Sequence, residues 1–335
     1  MKLLAVRGRV HKKLAASLIF AVLAMLAASS LILNAMQNSA EDGKDYIILG
    51  RGSFNTSAVG VIFLCDTYLE PLDELVVNPL DLDRDAVSAI AFNEPFCLSL
   101  DSNISYVGSE NNGAFIVTAG DGQDKTSLII SQNGYIAYTA PELTLGTHMP
   151  PNVPPREEAR TIAEEFLEKL KESNSFFPGD GQKLMFTMVS ASYSIVSSPW
   201  WEHKWTNYWE VLYAIEYNDV PIAGHAGAKV CVGHNGNVVA FYGDWLNLTP
   251  SGKKVVAAVT PNEAISDQGR ILMGVLQGVR GNVIKLEVQN VRLVYYVDSI
   301  REETGTLQVA YEFTGSCFDA DGQQGFFTIY ANATN

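Results

Sequence analysis

The sequence predicts an α+β protein: an N-terminal transmembrane helix followed by repeated modules of one helix packed on an antiparallel sheet. Three observations lead there. A charge-free apolar run occupies Leu14 to Leu33. Two helix starts with similar chemistry occur near Pro155 and Pro261. Each is followed by short segments rich in Val, Ile, Tyr and Phe, separated by Asn-Asp, Asn-Gly or Asp-Gly turns.

The first element is the apolar run. At 1.5 Å per residue its helix spans a hydrocarbon core of roughly 30 Å. Lys2, Arg7, Arg9, Lys12 and Lys13 precede it, and no acid appears before Glu41. Basic residues stay on the cytoplasmic side, so residues 1–13 form a cytoplasmic tail, 14–36 the membrane helix, and the remainder an extracytoplasmic part. A cleaved signal peptide is the competing reading, with cleavage points after Ala35 or Ala40; the length of the run favours an anchor. Localisation is therefore the cell membrane, single-pass, with the bulk of the chain outside.

Taking residues 1–40 away leaves 18 basic and 37 acidic residues, a formal net charge of −19. Such a surface repels nucleic-acid phosphates, which excludes nucleic acid as a partner. Apolar content of 47 % supports packed cores.

Residues 45–148 read as a first β-rich module. Asp83 to Val87 resembles a short helix start, and Ser127–Ser131 and Tyr135–Thr139 flank an Asn133-Gly134 turn. A Pro-rich linker follows at 149–155, with four prolines in six positions. The second module covers 155–250. Its helix carries Ala159, Ile162, Ala163, Phe166, Leu167 and Leu170 at three- and four-residue steps. Strands are expected at Leu184–Val196, Trp209–Tyr217, Val220–Val232 and Val238–Trp245. The third module covers 258–335. Thr260 caps, Pro261 takes the first turn, Glu263 completes a capping box, and a helix is expected to continue to Leu276. Strands follow at Ile284–Val297, Thr306–Thr314 and Gly325–Ala331. The two stretches share local text, Glu158-Ala159 with Glu263-Ala264 and Val211-x-Tyr213 with Val309-x-Tyr311.

Pro155–Leu170, Tyr208–Tyr242, Thr260–Leu276 and Leu307–Ala331 together resemble the PepSY and thermolysin-propeptide (FTP-like) family of small domains. The resemblance covers about half the chain and makes 155–250 and 258–335 PepSY-like modules. It implies non-enzymatic domains: propeptides that inhibit or chaperone proteases, or outward-facing parts of membrane-anchored regulators of sensor kinases. No protease domain follows here, which removes a propeptide role in cis.

Catalytic and metal motifs fail on inspection. Asp81 to Asp85 has alternating carboxylates, but Ala86 and Phe92 stand where a calcium loop needs Gly and Glu. Cys317 to Gly322 fails the same way. Asp124-Lys125-Thr126 puts an acid where a phosphate loop needs Gly. His203, His225 and His234 show no spacing that forces zinc binding, so turn or surface roles are the better reading. No cofactor is expected. The cysteines, Cys65, Cys97, Cys231 and Cys317, allow three pairings, of which Cys65–Cys97 with Cys231–Cys317 keeps each bridge within one half; four buried thiols is the equal alternative.

One stretch points to recognition: Pro199 to Trp209, with four tryptophans and Tyr208 interrupted by charge. Tryptophan buries large area and offers a polar N–H, which suits binding surfaces. Trp200, Trp201, Trp205 and Tyr208 are the candidate partner-binding residues, with Trp200 and Trp201 in a connection after Pro199. The competing reading puts Trp205 and Trp209 in the core. The sequence thus describes a membrane-anchored, non-catalytic interaction or regulatory protein that binds a membrane sensor or a protease. The rivals are a cell-envelope hydrolase and a glycan-binding protein with a site near Trp200–Trp209.

Overall fold

The structure, a computed structural model, describes residues 46–49, 59–65, 67, 69–109, 112–120, 125–141, 151–173, 179–198, 201–279, 282–298 and 305–334. The segment 14–36 lies outside them, and no helix among the described residues is long and apolar enough to cross a membrane.

Among the described residues, seventeen strands and three α-helices follow one another along the chain. The first part holds β1 (Tyr46–Leu49), β2 (Gly60–Phe63), β3 (Leu72–Asn78), α1 (Arg84–Phe92), β4 (Asn103–Ser109), β5 (Asn112–Ala119), β6 (Thr126–Ser131) and β7 (Tyr135–Thr139). Next come α2 (Arg156–Ser173), β8 (Gln182–Ser198), β9 (Trp201–Tyr217), β10 (Val220–Gly224), β11 (Gly227–Val232), β12 (Val238–Asp244) and β13 (Asn247–Val255). The last part is α3 (Pro261–Ser266), β14 (Ile271–Gln277), β15 (Val283–Val297), β16 (Gln308–Asp319) and β17 (Gln324–Asn332).

The expected α+β class is corrected here: the protein is mostly β. Fifteen strands share one mixed sheet, in the order β1-β14-β17-β16-β15-β10-β9-β11-β12-β7-β6-β5-β4, with β2 added to β15 and β8 to β9. Strands β3 and β13 form a separate antiparallel ribbon. The reason is edge pairing. Separate modules would leave exposed strand edges, and here those edges pair with one another. Strand β10 joins β15 in parallel through Ile222, Ala223 and Gly224. Strand β12 joins β7 from Ala240 to Asp244. Strands β1 and β2, early in the chain, complete the sheet of the last part by pairing with β14 and β15.

A second correction concerns the helix expected from Thr260 to Leu276. Its capping box forms as read, with Thr260 accepting from the Glu263 N–H and Glu263 from the Thr260 N–H. The helix nevertheless stops at Ser266, and Ile271–Gln277 is strand β14. Asp267 and Gly269 end the turn, where the Asp267 side chain takes the Gly269 N–H at 2.9 Å. Beyond them Ile271, Met273 and Val275 pair with β17. The other two helices follow the sequence closely. Asp83 caps α1 at Ala86 N, 2.7 Å away, and α2 buries Ala159, Ala163, Phe166, Leu167 and Leu170.

All three helices and the ribbon feed one core cluster on one face of the sheet, around Phe166, Val211, Val230, Phe241, Ile265 and Leu75. The opposite face carries three smaller clusters built wholly from sheet strands. Among the described residues no helix or ribbon residue joins them. Among the described residues, then, helices and ribbon cover one face of the sheet and leave the other, here called the bare face, to strand side chains alone.

The sheet forks at β9. One flank of β9 pairs with β8 along its length; the other pairs first with β11 and then with β10. The fork needs two glycines. Gly224 has φ +88°, and a Cβ there would lie 2.1 Å from the Val297 carbonyl oxygen. Gly227 has φ +157°, and its Cβ would sit 2.7 Å from the Tyr213 oxygen. Between them the His225 N–H donates to the Val297 carbonyl at 3.0 Å.

Candidate functional site

The tryptophan-rich stretch is strand, not connection. Trp201 opens β9, which runs unbroken to Tyr217, and Trp200 lies outside the described residues. Failure of simple alternation has a local cause. The β8–β9 register passes from Ser192↔Tyr208 to Tyr193↔Thr206, leaving Asn207 as the extra residue of a bulge. Asn207 Nδ2 donates to Ser194 Oγ at 2.8 Å, which fixes that bulge. Because side chains alternate along each strand, the bulge turns Trp205 to the face shared by Tyr208 and Glu210, away from Trp209.

Trp209 faces the helices. It packs on the main core, and its Nε1–H donates to the Pro154 carbonyl at 2.8 Å. That bond ties the Pro-rich segment to the sheet. The turn after β11 adds to it: the Asn152 N–H donates to His234 Nδ1 at 2.8 Å, and the Asn235 N–H to the Asn152 carbonyl at 2.7 Å. His234 is thus a structural turn residue.

On the bare face, Tyr208 packs with Cys231, Val239, Ala240 and Tyr242. Burial, and then the neighbouring Cys231, pushes its hydroxyl up to about 12. Beside it lies an ion pair that sequence reasoning missed. Lys229 Nζ sits 3.3 Å from Glu210 Oε1, with side-chain exposures of 10 % and 3 %. Ser190 Oγ donates to Glu210 at 3.4 Å, and Lys229 lies 4.9 Å from the Tyr242 ring centre. Burial raises the Glu210 pKa, while the charge and hydrogen bond of Lys229 lower it. The available signal was Glu210 near the start of the apolar run Trp209–Ile215, and the lone Lys229 inside Gly227–Val232.

Around this pair the face is aromatic and partly apolar. Trp205 is half-buried, with its Nε1 enclosed and without a partner. Met185 and Met188 on β8 are 44 % and 39 % exposed. Farther along the same sheet, Arg292 bonds Glu312, which also accepts from the Tyr330 hydroxyl at 2.9 Å. On the helix side Lys204 stacks 3.8 Å from the Tyr193 ring centre.

A cleft of ≈ 610 Å³ opens elsewhere, on the helix side between the 94–97 loop and α2. Phe166, Ile162 and Tyr138 line it, and Lys169 bonds Glu94 across its rim at 3.0 Å. Cys97 also lines it, with no histidine among the lining residues to act as its base. All four cysteines are free thiols, so neither expected bridge is present. Cys231 and Cys317 are instead buried in different parts of the sheet, on β11 and β16. Among the described residues no group of three His, Cys, Asp or Glu side chains converges as a metal site.

No family model matches the chain, and no curated protein matches it. Among solved structures it is similar to the crystal structure of an uncharacterized protein from Eubacterium rectale, at 8 % identity and a TM-score of 0.42, covering 83 % of this chain and 88 % of that one.

Proposed function

We propose that the protein is a membrane-anchored, extracytoplasmic, non-catalytic interaction protein that modulates a membrane sensor or a protease by binding it. The docking surface is the bare face of the β8–β9 hairpin. One observation carries this reading: Trp205, Tyr208, Met185 and Met188 lie on a sheet face that no described helix covers, around a buried Glu210–Lys229 pair. Broad, flat, aromatic and methionine-containing surfaces suit protein partners, whereas catalysis calls for a pocket with a nucleophile beside a base. The anchored, outward placement rests on Leu14–Leu33 with its five flanking basic residues, and the PepSY-like text at 155–250 and 258–335 agrees with a regulatory role.

The test is the double change Trp205→Ala, Tyr208→Ala, read by partner capture in native membranes and by thermal unfolding. Truncating an interface tryptophan costs about 2 kcal/mol or more, roughly thirtyfold in affinity. Lost capture with an intact melting temperature supports the docking hairpin. A large fall in melting temperature makes these rings core and removes them from the site. Capture of cell-envelope glycan in place of protein would favour the rival reading.

A further inference from the structure

We infer that the bare face of the sheet, at its β1–β2 end, rests on the phospholipid surface of the bilayer that holds residues 14–36, with Phe326, Ile62 and Leu64 entering that surface. The inference depends on the anchored placement proposed above and concerns a different region from the docking hairpin. Strand β17, which carries Phe326, stands four strand spacings from β9, about 19 Å.

The ladder sets out the contact. Tyr46, Gln277, Phe326, Ser316, Glu287 and Ile62 are register partners in turn, forming one row across β1, β14, β17, β16, β15 and β2. Register partners share a face of the sheet. Phe327, Cys317 and Leu286, chain neighbours of three members of the row, belong to the core beneath the helices. Phe326, Ser316, Glu287 and Ile62 therefore point to the bare face. Leu64 joins them, two residues beyond Ile62, where its N–H continues the ladder to the Val288 carbonyl at 2.8 Å. Ile62, Leu64 and Phe326 are 44 %, 61 % and 61 % exposed. Single exposed apolar residues need no explanation, but here three open on one face, with Ile62 and Phe326 three strand spacings, about 15 Å, apart.

The anchor selects the occupant. Tyr46 follows the end of the expected membrane helix by ten residues, which reach at most about 36 Å. Phe326 is two strand spacings from Tyr46, about 10 Å. Along the ladder this end of the sheet is the one tied to the bilayer, and β4 lies at the other end. Charge agrees with a lipid surface. The chain carries a net charge of −14, yet Glu287 is the only charged member of the row, and Lys285 forms an ion pair with it. The Lys285 ammonium also lies 4.9 Å from the Phe318 ring centre. The Gln289 and Gln324 amides donate to the Ser316 hydroxyl at 3.1 and 3.2 Å. A patch with balanced charge and projecting apolar side chains suits the headgroup boundary, where such side chains enter and paired charges stay hydrated. Three side chains make a weak contact alone; the tether makes that contact intramolecular, which raises its occupancy.

The test uses the full chain in phosphatidylcholine nanodiscs, with a photoreactive phenylalanine analogue placed at one position at a time. After irradiation, phospholipid adducts are read by mass spectrometry. Position 20, in the apolar run, reads the anchor; positions 326 and 62 read the contact; position 161, exposed on α2, is the comparison. The expected result is a lipid adduct at 20, 326 and 62, and none at 161. Phe326→Ser, a change at an exposed site that leaves the fold intact, should reduce the adduct at 62 about tenfold, as expected for removing most of one buried phenyl ring. An adduct at 20 with none at 326 and 62 overturns the inference and leaves the anchor standing. Absence of an adduct at 20 overturns the anchor and the inference with it. Equal adducts at 161 and 326, or an adduct at 62 that ignores Phe326→Ser, overturn the inference alone.

Discussion

Replacing Lys229 by Met is expected to destabilise the protein strongly, and more so at pH 8 than at pH 5. Lys229 Nζ and Glu210 Oε1 are 3.3 Å apart, with 10 % and 3 % of their side chains exposed. At an effective dielectric of about 20 this separation corresponds to a gross attraction of ~5 kcal/mol. Removing one partner strands a buried carboxylate, which costs about 3–5 kcal/mol. For a chain of this size, at about 2.1 cal/mol/K of unfolding entropy per residue, that is a fall in melting temperature of about 4–7 °C. The pH dependence follows from burial. In the parent, burial raises the Glu210 pKa and Lys229 opposes the rise; without Lys229 the pKa climbs further. A carboxyl whose folded pKa lies above its unfolded value of about 4.3 binds its proton more tightly in the folded state. Stability contributed by that proton is present at low pH and is lost as pH rises from about 4.3 through the folded value. Lowering the pH toward 5 favours the neutral form of Glu210 in the variant, so the deficit shrinks. The assay is thermal unfolding of the full chain in detergent, followed by tryptophan fluorescence, at both pH values. The double change Glu210→Gln, Lys229→Met should recover most of the loss at pH 8, because no charge remains buried. A Lys229→Met variant that melts within 2 or 3 °C of the parent, by the size scaling above, would refute the reasoning. A deficit larger at pH 5 than at pH 8 would refute it equally.

Gly224→Ala places a methyl group against the Val297 carbonyl in a left-handed backbone, and is expected to cost more than ~2 kcal/mol and lower the melting temperature accordingly. A thiol reagent applied to the native protein should label the exposed Cys97 rapidly and leave the buried Cys231 and Cys317 unreacted until denaturation, read by mass spectrometry of peptides. The mature chain is expected to begin at or near Met1 and to sediment with membranes; a secreted chain starting at Met36 or Glu41 would show a cleaved signal peptide instead.

Local text was legible and assembly was not. Asp83 caps α1, the apolar stripe of α2 is the buried stripe, and the Thr260–Glu263 box starts α3. The Asn218-Asp219 and Asn235-Gly236 turns take the left-handed conformations their residues suit. What the text does not carry is pairing between distant strands. Nothing in Ile222 or Tyr295 by itself announces that β10 and β15 run side by side, because edge pairing is made by backbone groups common to all residues. Residues 271–277 misled for a different reason. Leu272, Val275 and Leu276 fit helical spacing, but β17 offered the segment 271–277 a ladder, and a ladder outweighs a weak, glycine-bearing helix. At the site, the Asn207 bulge reversed the facing of Trp205, and a one-residue slip of that kind is invisible to alternation counting.

The most direct test of the central claim, that the bare face of the β8–β9 hairpin binds a protein partner outside the membrane, is site-specific photocrosslinking in living cells. A photoreactive phenylalanine analogue would replace Trp205 or Met185 on the bare face, and Thr161 on the exposed side of α2 as the comparison. The account predicts a discrete adduct with one other protein from Trp205 and Met185, and none from Thr161. Adducts from Thr161 alone, or from none of the three positions, would contradict it.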